Sequence, residues 1–199
     1  MKKVILTVLT VIGMIFLCGN VQADSAVELA YDDGSSEEGT SPWSNSVGSE
    51  IAVRFTSSIY PAKLESVKFW VTGWQQVTAP FEIRIYDTNG SFPGPRLDNG
   101  NITASATTEN DWTEIDLSAY NIIINDDFFV SMRWLTAPGA SGQYGQFLGA
   151  DTNSTIKNRT FWKFGDSGSW KVENSRNNMI RAIVSKSATN VNKSTWYYD

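Results

Sequence analysis

Val67-Lys68-Phe69-Trp70-Val71-Thr72 and Phe81-Glu82-Ile83-Arg84-Ile85-Tyr86 each place an apolar residue at every second position. A period of two belongs to a β-strand with one buried face, because successive side chains point to opposite sides of a sheet. On the first strand Val67, Phe69 and Val71 form the buried set, leaving Lys68, Trp70, Thr72 and Trp74 on the other face. On the second, Phe81, Ile83 and Ile85 oppose Glu82, Arg84 and Tyr86. The pattern recurs in Ile51-Ala52-Val53-Arg54-Phe55 and in Phe128 to Trp134, where Ser131 and Arg133 face outward. It recurs again in Ile180, Ala182 and Val184, with Arg181 opposed.

Turn signals separate these runs: Asp33-Gly34, Asn89-Gly90, Pro93-Gly94-Pro95, Asn99-Gly100, Pro138-Gly139 and Asp166-Ser167-Gly168. No window combines helical spacing with a cap and few β-branched residues. Roughly ten short strands divided by turns predict an all-β fold, a two-layer antiparallel β-sandwich of jelly-roll type. The 199 residues, 41% of them hydrophobic, suffice for a single domain with a real core.

Met1 to Ala23 reads as a secretory signal. Lys2 and Lys3 precede the apolar run Val4 to Leu17, and Val21-Gln22-Ala23 ends on a small residue before Asp24. The run is shorter than the ~20 residues that span a bilayer. Leu17 occupies the place where a lipoprotein site at Cys18 wants a small residue. The expected organisation is a cleaved signal peptide at 1–23, a β-sandwich at 24–185, and a polar tail at 186–199. Trp196-Tyr197-Tyr198 in that tail can serve as a final strand. Cleavage removes the single cysteine, so the exported domain holds together without disulfides. The implied location is secreted, periplasmic or cell-surface, with no membrane contact after cleavage.

The chain has no histidine, 16 Lys and Arg, and 21 Asp and Glu, for a formal charge of −5. Nucleophile systems that need imidazole are excluded, as are His-ligated metals. The acidic balance and scattered cations argue against nucleic acid. Ser154-Thr155-Ile156-Lys157 has the Ser-x-x-Lys spacing of penicillin-recognising enzymes, but their companion motifs are absent.

Several segments together resemble a class of uncharacterised secreted β-sandwich domains, similar to carbohydrate-binding modules, found in bacterial and archaeal extracellular proteins. They are Leu29-Ala30-Tyr31-Asp32-Asp33-Gly34, Ala52-Val53-Arg54-Phe55, Trp112-Thr113-Glu114-Ile115-Asp116-Leu117, Phe147-Leu148-Gly149-Ala150-Asp151 and Met179-Ile180-Arg181-Ala182-Ile183-Val184. The resemblance covers about residues 26 to 185. It implies the fold and an extracellular role, alone or beside a hydrolase, and it carries over no catalytic residues.

Eight tryptophans single out the polar faces as a candidate binding surface. Trp70 and Trp74 fall about 13 Å apart on one strand. Lys68, Glu82, Arg84, Tyr86 and Arg133 are expected at neighbouring positions of the same layer. Flat rings that stack on a pyranose, with charged groups on its hydroxyls, are the chemistry of sugar recognition. The alternative is that these rings pack beneath loops. Trp43, Trp162 and Trp170 are further aromatic candidates. Asp32, Asp33, Glu37 and Glu38 crowd one loop, and their oxygens suit a structural calcium; the alternative is a solvated acidic turn. Asp87 to Asp98 lacks the glycine of a calcium loop, and Asn89-Gly90 reads as a hairpin turn. No cofactor is expected beyond such an ion.

Three functions follow. The first is a non-catalytic binding or accessory module with an extracellular glycan or protein as partner. The second is a structural or protein-interaction domain of the envelope or matrix. The third is a carboxylate-dependent glycoside hydrolase using residues such as Glu82, Glu114 and Asp116.

Overall fold

The computed structural model of the chain describes residues 25–41, 47–74, 78–136 and 145–187, with Trp74 and Gly145 in backbone only. The signal segment, Trp43, Pro138-Gly139 and Trp196-Tyr197-Tyr198 lie outside the described residues. Strands β1 (Val27–Leu29), β2 (Glu38–Thr40), β3 (Glu50–Phe55), β4 (Ala62–Trp74) and β5 (Phe81–Asn89) come first. Then follow β6 (Phe92–Arg96), β7 (Ile102–Ala104), β8 (Asp111–Asp116), β9 (Ile123–Ile124) and β10 (Phe128–Trp134). β11 (Gly145–Asp151), β12 (Thr160–Lys163), β13 (Lys171–Glu173), β14 (Asn177–Asn178) and β15 (Ile180–Lys186) complete the set. A 3₁₀ turn at Ser118–Tyr120 is the only helix among the described residues.

The fifteen strands form two antiparallel sheets in a jelly-roll-type sandwich. The eight-stranded sheet is ordered β1-β15-β4-β11-β14, with β2 on β11 and with β8 and β9 on β4. The seven-stranded sheet is ordered β13-β12-β3-β10-β5-β6, with β7 on β5. The excess over ten strands consists of pieces two or three residues long, too short to show a period.

Between the sheets, Val67, Phe69 and Val71 of β4 meet Phe81, Ile83 and Ile85 of β5 and Phe128, Val130, Met132 and Trp134 of β10, all buried. Phe69 and Phe81 meet edge to face at 5.3 Å, the geometry that aromatic quadrupoles favour. The core therefore uses the alternate positions that the sequence assigns to it. β4 runs 13 residues, well beyond Val67 to Val71. Its alternation slips where Ser66 pairs Ile183 and Leu64 pairs Val184, a bulge that keeps both Leu64 and Val67 inward.

Pro93-Gly94-Pro95, read from sequence as a turn, lies inside β6. β6 is an edge strand beside β5, where a missing N–H costs no ladder bond. The turn sits just ahead of it. Asn89 pairs Phe92, and Gly90 takes φ 62°, as a two-residue hairpin requires of its first central residue.

Candidate functional site

The seven predicted surface residues do not share a layer. Lys68 and Trp70, with the backbone of Trp74, belong to the eight-stranded sheet, whereas Glu82, Arg84, Tyr86 and Arg133 belong to the seven-stranded sheet. β4 and β5 face each other across the core, so their polar faces look out on opposite sides of the molecule. Alternation fixes which residues point outward. Which strands are neighbours depends on pairing between distant segments, and the expected single cluster is corrected on that ground. The Trp74 side chain lies outside the described residues.

On the eight-stranded sheet the partner of Trp70 is Trp112, directly opposite it on β8. Their rings meet edge to face at 5.5 Å and 84°, and both are half-buried. Trp70 leans over Gly149 of β11. A β-carbon there would collide with Trp70 Cδ1 and stand 2.9 Å from Ser36 Oγ. The other neighbours are ionic. Arg181 lies 4.4 Å from the Trp112 ring centroid and binds Asp32 at 2.5 Å and Glu28 at 2.7 Å. Lys68 reaches Glu28 at 2.7 Å and Glu114 at 3.8 Å, and Ser66 donates to Glu114 at 2.7 Å. The hydrogen bond from Lys68 holds Glu28 below the ordinary carboxylate range, and that to Asp32 raises Arg181.

The outer face of the seven-stranded sheet is built differently. The fully buried Glu50 carboxylate accepts from Arg84 at 2.7 Å, Lys163 at 3.0 Å, Tyr86 at 2.7 Å and Ser131 at 2.8 Å. Glu82 is bound by Arg84 at 3.0 Å and by Arg96 and Arg133 at 3.1 Å each. Asp166, from the loop after β12, closes on Arg133 at 2.8 Å. Trp170 packs on Tyr86 at 5.8 Å with Lys163 over its ring. Burial pushes Glu82 upward, but its bond to Arg84 and the charges of Arg96 and Arg133 outweigh this and leave it lowered. Burial and the Glu50 charge push Tyr86 upward. These groups are turned toward one another, as in a structural seam.

The acidic loop spreads its four carboxylates. Asp32 binds Arg181, and Glu38 binds Arg176 at 3.0 Å. Asp33 accepts from the Ser35 backbone N–H at 2.9 Å, Glu37 accepts from the Ser35 hydroxyl at 2.8 Å, and Glu37 also takes the Asn153 amide. No group of three His, Cys, Asp or Glu among the described residues is placed to hold a metal ion. Of the carboxylates considered for glycoside hydrolysis, Glu82 lies on one outer face and Glu114 and Asp116 on the other. A cavity of about 220 Å³ lined by Asp87, Leu97, Ile123, Asp126 and Asp127 had no signature in the sequence, since its walls come from separate segments. Arg54 holds Asp127 there at 2.8 Å. Trp112 was within reach of sequence reading: Trp112, Glu114 and Asp116 alternate with Thr113 and Ile115.

No family model matches the chain. Bacillopeptidase F of Bacillus subtilis (strain 168) is 27% identical over 164 residues, covering 79% of this chain and 11% of that protein. The chain thus spans about a tenth of the curated relative's length. Among solved structures, the cysteine protease and lectin-like domains of Cwp84, a surface layer associated protein of Clostridium difficile, superpose with a TM-score of 0.53. The match has 14% identity and covers 70% of this chain and 32% of that one. A second structure of the clostridial cysteine protease Cwp84, after propeptide cleavage, gives 0.52 at 14% identity, covering 81% and 38%. No helix among the described residues is long and apolar enough to cross a membrane. At such identity the likeness is one of fold, and the chain is a β-sandwich resembling the lectin-like domain of Cwp84.

Proposed function

We propose that the domain is a non-catalytic extracellular binding module that takes carbohydrate on the outer face of the eight-stranded sheet, through Trp70 and Trp112. One observation carries this reading: two half-exposed indoles pack together at 5.5 Å on an open sheet face rather than in the core. Indoles offer flat apolar area to the C–H face of a sugar at little conformational cost. The signal-like start of the chain and the lectin-like fold support an extracellular role. Affinity gels and pull-downs on a panel of polysaccharides test it. Trp70→Ala and Trp112→Ala should each weaken binding about tenfold or more, the scale of an aromatic anchor. Arg133→Ala, on the opposite face, should leave it unchanged. Retention that ignores both tryptophans rejects this surface.

The match to a tenth of Bacillopeptidase F favours a second reading, an accessory or protein-interaction module. It predicts a protein partner captured by crosslinking on intact cells, and no retention by polysaccharide.

A further inference from the structure

The rings of the tryptophan face are neutral, but their surroundings are not. Four carboxylates, Glu28, Asp32, Glu114 and Asp116, share this face with two cations, Lys68 and Arg181. The next pair along β4, Lys63 with Glu65, adds no net charge. Asp32 is buried against Arg181, so the exposed balance is Glu28, Glu114 and Asp116 against Lys68. Glu114 is 54% exposed and Glu28 34%, whereas Lys68 is 24% and Arg181 19%. Both cations are turned inward onto carboxylates, and Arg181 is also stacked on Trp112. Asp116 stands at the edge strand, its carboxylate held only by Ser118. A ligand lying on Trp70 and Trp112 therefore meets unneutralised carboxylate oxygens and no free ammonium or guanidinium.

From this charge distribution we infer that the tryptophan face selects cationic glycans, polymers of amino sugars carrying free ammonium groups, over neutral and anionic ones. The inference rests on the carbohydrate reading of the same site. A ring stacked on Trp112 brings its substituents to the side on which Glu114 sits, two residues along β8. An ammonium there gains an exposed, salt-screened attraction, worth a few-fold for each carboxylate. A uronate or sulfated sugar meets repulsion of the same size.

The test compares β-1,4-linked glucosamine oligomers, their N-acetylated counterparts of equal length, and oligogalacturonate, by titration calorimetry with the full chain. The expected result is glucosamine bound about tenfold tighter than the N-acetylated oligomer, with no binding of galacturonate. The preference should shrink as salt approaches ~1 M, where the Debye length is about 3 Å. Glu114→Gln should cut the preference about threefold. Equal or tighter binding of the neutral oligomer, still lost in Trp70→Ala, overturns the charge selection and leaves the binding face standing. Tightest binding of galacturonate overturns it as well. Failure of all three oligomers, or glucosamine binding that survives Trp70→Ala, removes the carbohydrate reading and the selection together.

Discussion

The two outer faces of this sandwich are written in the same code and built to opposite ends. Lys68 and Trp70 on β4, and Glu82, Arg84 and Tyr86 on β5, alternate with equally greasy core residues. On the eight-stranded sheet Trp70 and Trp112 are half-exposed, and Glu28 and Glu114 are more exposed than the cations they pair, while Asp32 is buried against Arg181. On the seven-stranded sheet Glu50 and Glu82 are buried under arginines, and the Asp166 and Trp170 loop lies over them. Both faces carry a loop: the Asp166 and Trp170 segment lies over Glu50 and Glu82, whereas Asp32 to Ser36 reach only Arg181 and Gly149 and leave Glu114 on the edge strand β8 54% exposed. A polar strand face thus stays an open aromatic surface or becomes a second, ionic core according to how far a loop covers it.

The largest contrast lies in the carboxylates. Removing Glu50 leaves Lys163 buried without its ion-pair partner and Arg84 with Glu82 alone, so Glu50→Ala should cost about 3–5 kcal/mol in urea unfolding. Glu114→Gln should cost below about 1 kcal/mol, as for a surface ion pair. Similar losses from both would erase the distinction between the faces. Next comes Gly149→Ala, whose methyl must displace Trp70 from its seat. Overpacking of this kind costs about 1–3 kcal/mol, and it should weaken sugar binding as Trp70→Ala does. An unchanged affinity would show that the pose of the ring is irrelevant.

Acid separates the faces more gently. Glu82, Asp166 and Glu28 all titrate below their ordinary values in the folded protein, because arginine or lysine binds their ionised forms. The unfolded chain then takes up protons first as pH falls. The stability these groups give is complete above the ordinary glutamate value of 4.5 and is lost as pH drops through it toward the depressed folded values. Glu82→Gln should flatten this acid limb in pH-dependent melting more than Glu28→Gln, since three arginines hold Glu82. The smallest effect is expected from metal removal. With Asp32, Asp33, Glu37 and Glu38 taken by protein donors, EDTA should leave Tm unchanged. A fall in Tm restored by calcium would reverse that expectation.

What was legible in the sequence is local. Phe128 to Trp134 forms a strand with the bounds read from its alternation, and the inward sets of β4, β5 and β15 are correct. Beyond the local scale, legibility fails for identifiable reasons. The bulge at Glu65 and Ser66 breaks the period that would have shown β4 at full length. Pro93 and Pro95 suit an edge strand as well as a turn, and only the position of β6 decides. Trp112 meets Trp70 through a pairing of strands some forty residues apart, as Ser131 and Tyr86 meet Glu50. Candidate residues could be named singly; their company could not.

β1 and β15, the first and last strands described, are antiparallel neighbours, with Val27 opposite Val184. The chain therefore enters and leaves at the same end of the same sheet. Tension applied through the flanking segments falls on one hydrogen-bonded pair at a time and peels β1 away before it loads the long β4–β15 ladder. A tether attached on both sides would yield early at a three-residue strand, leaving the layer that carries Trp70 and Trp112 under little strain.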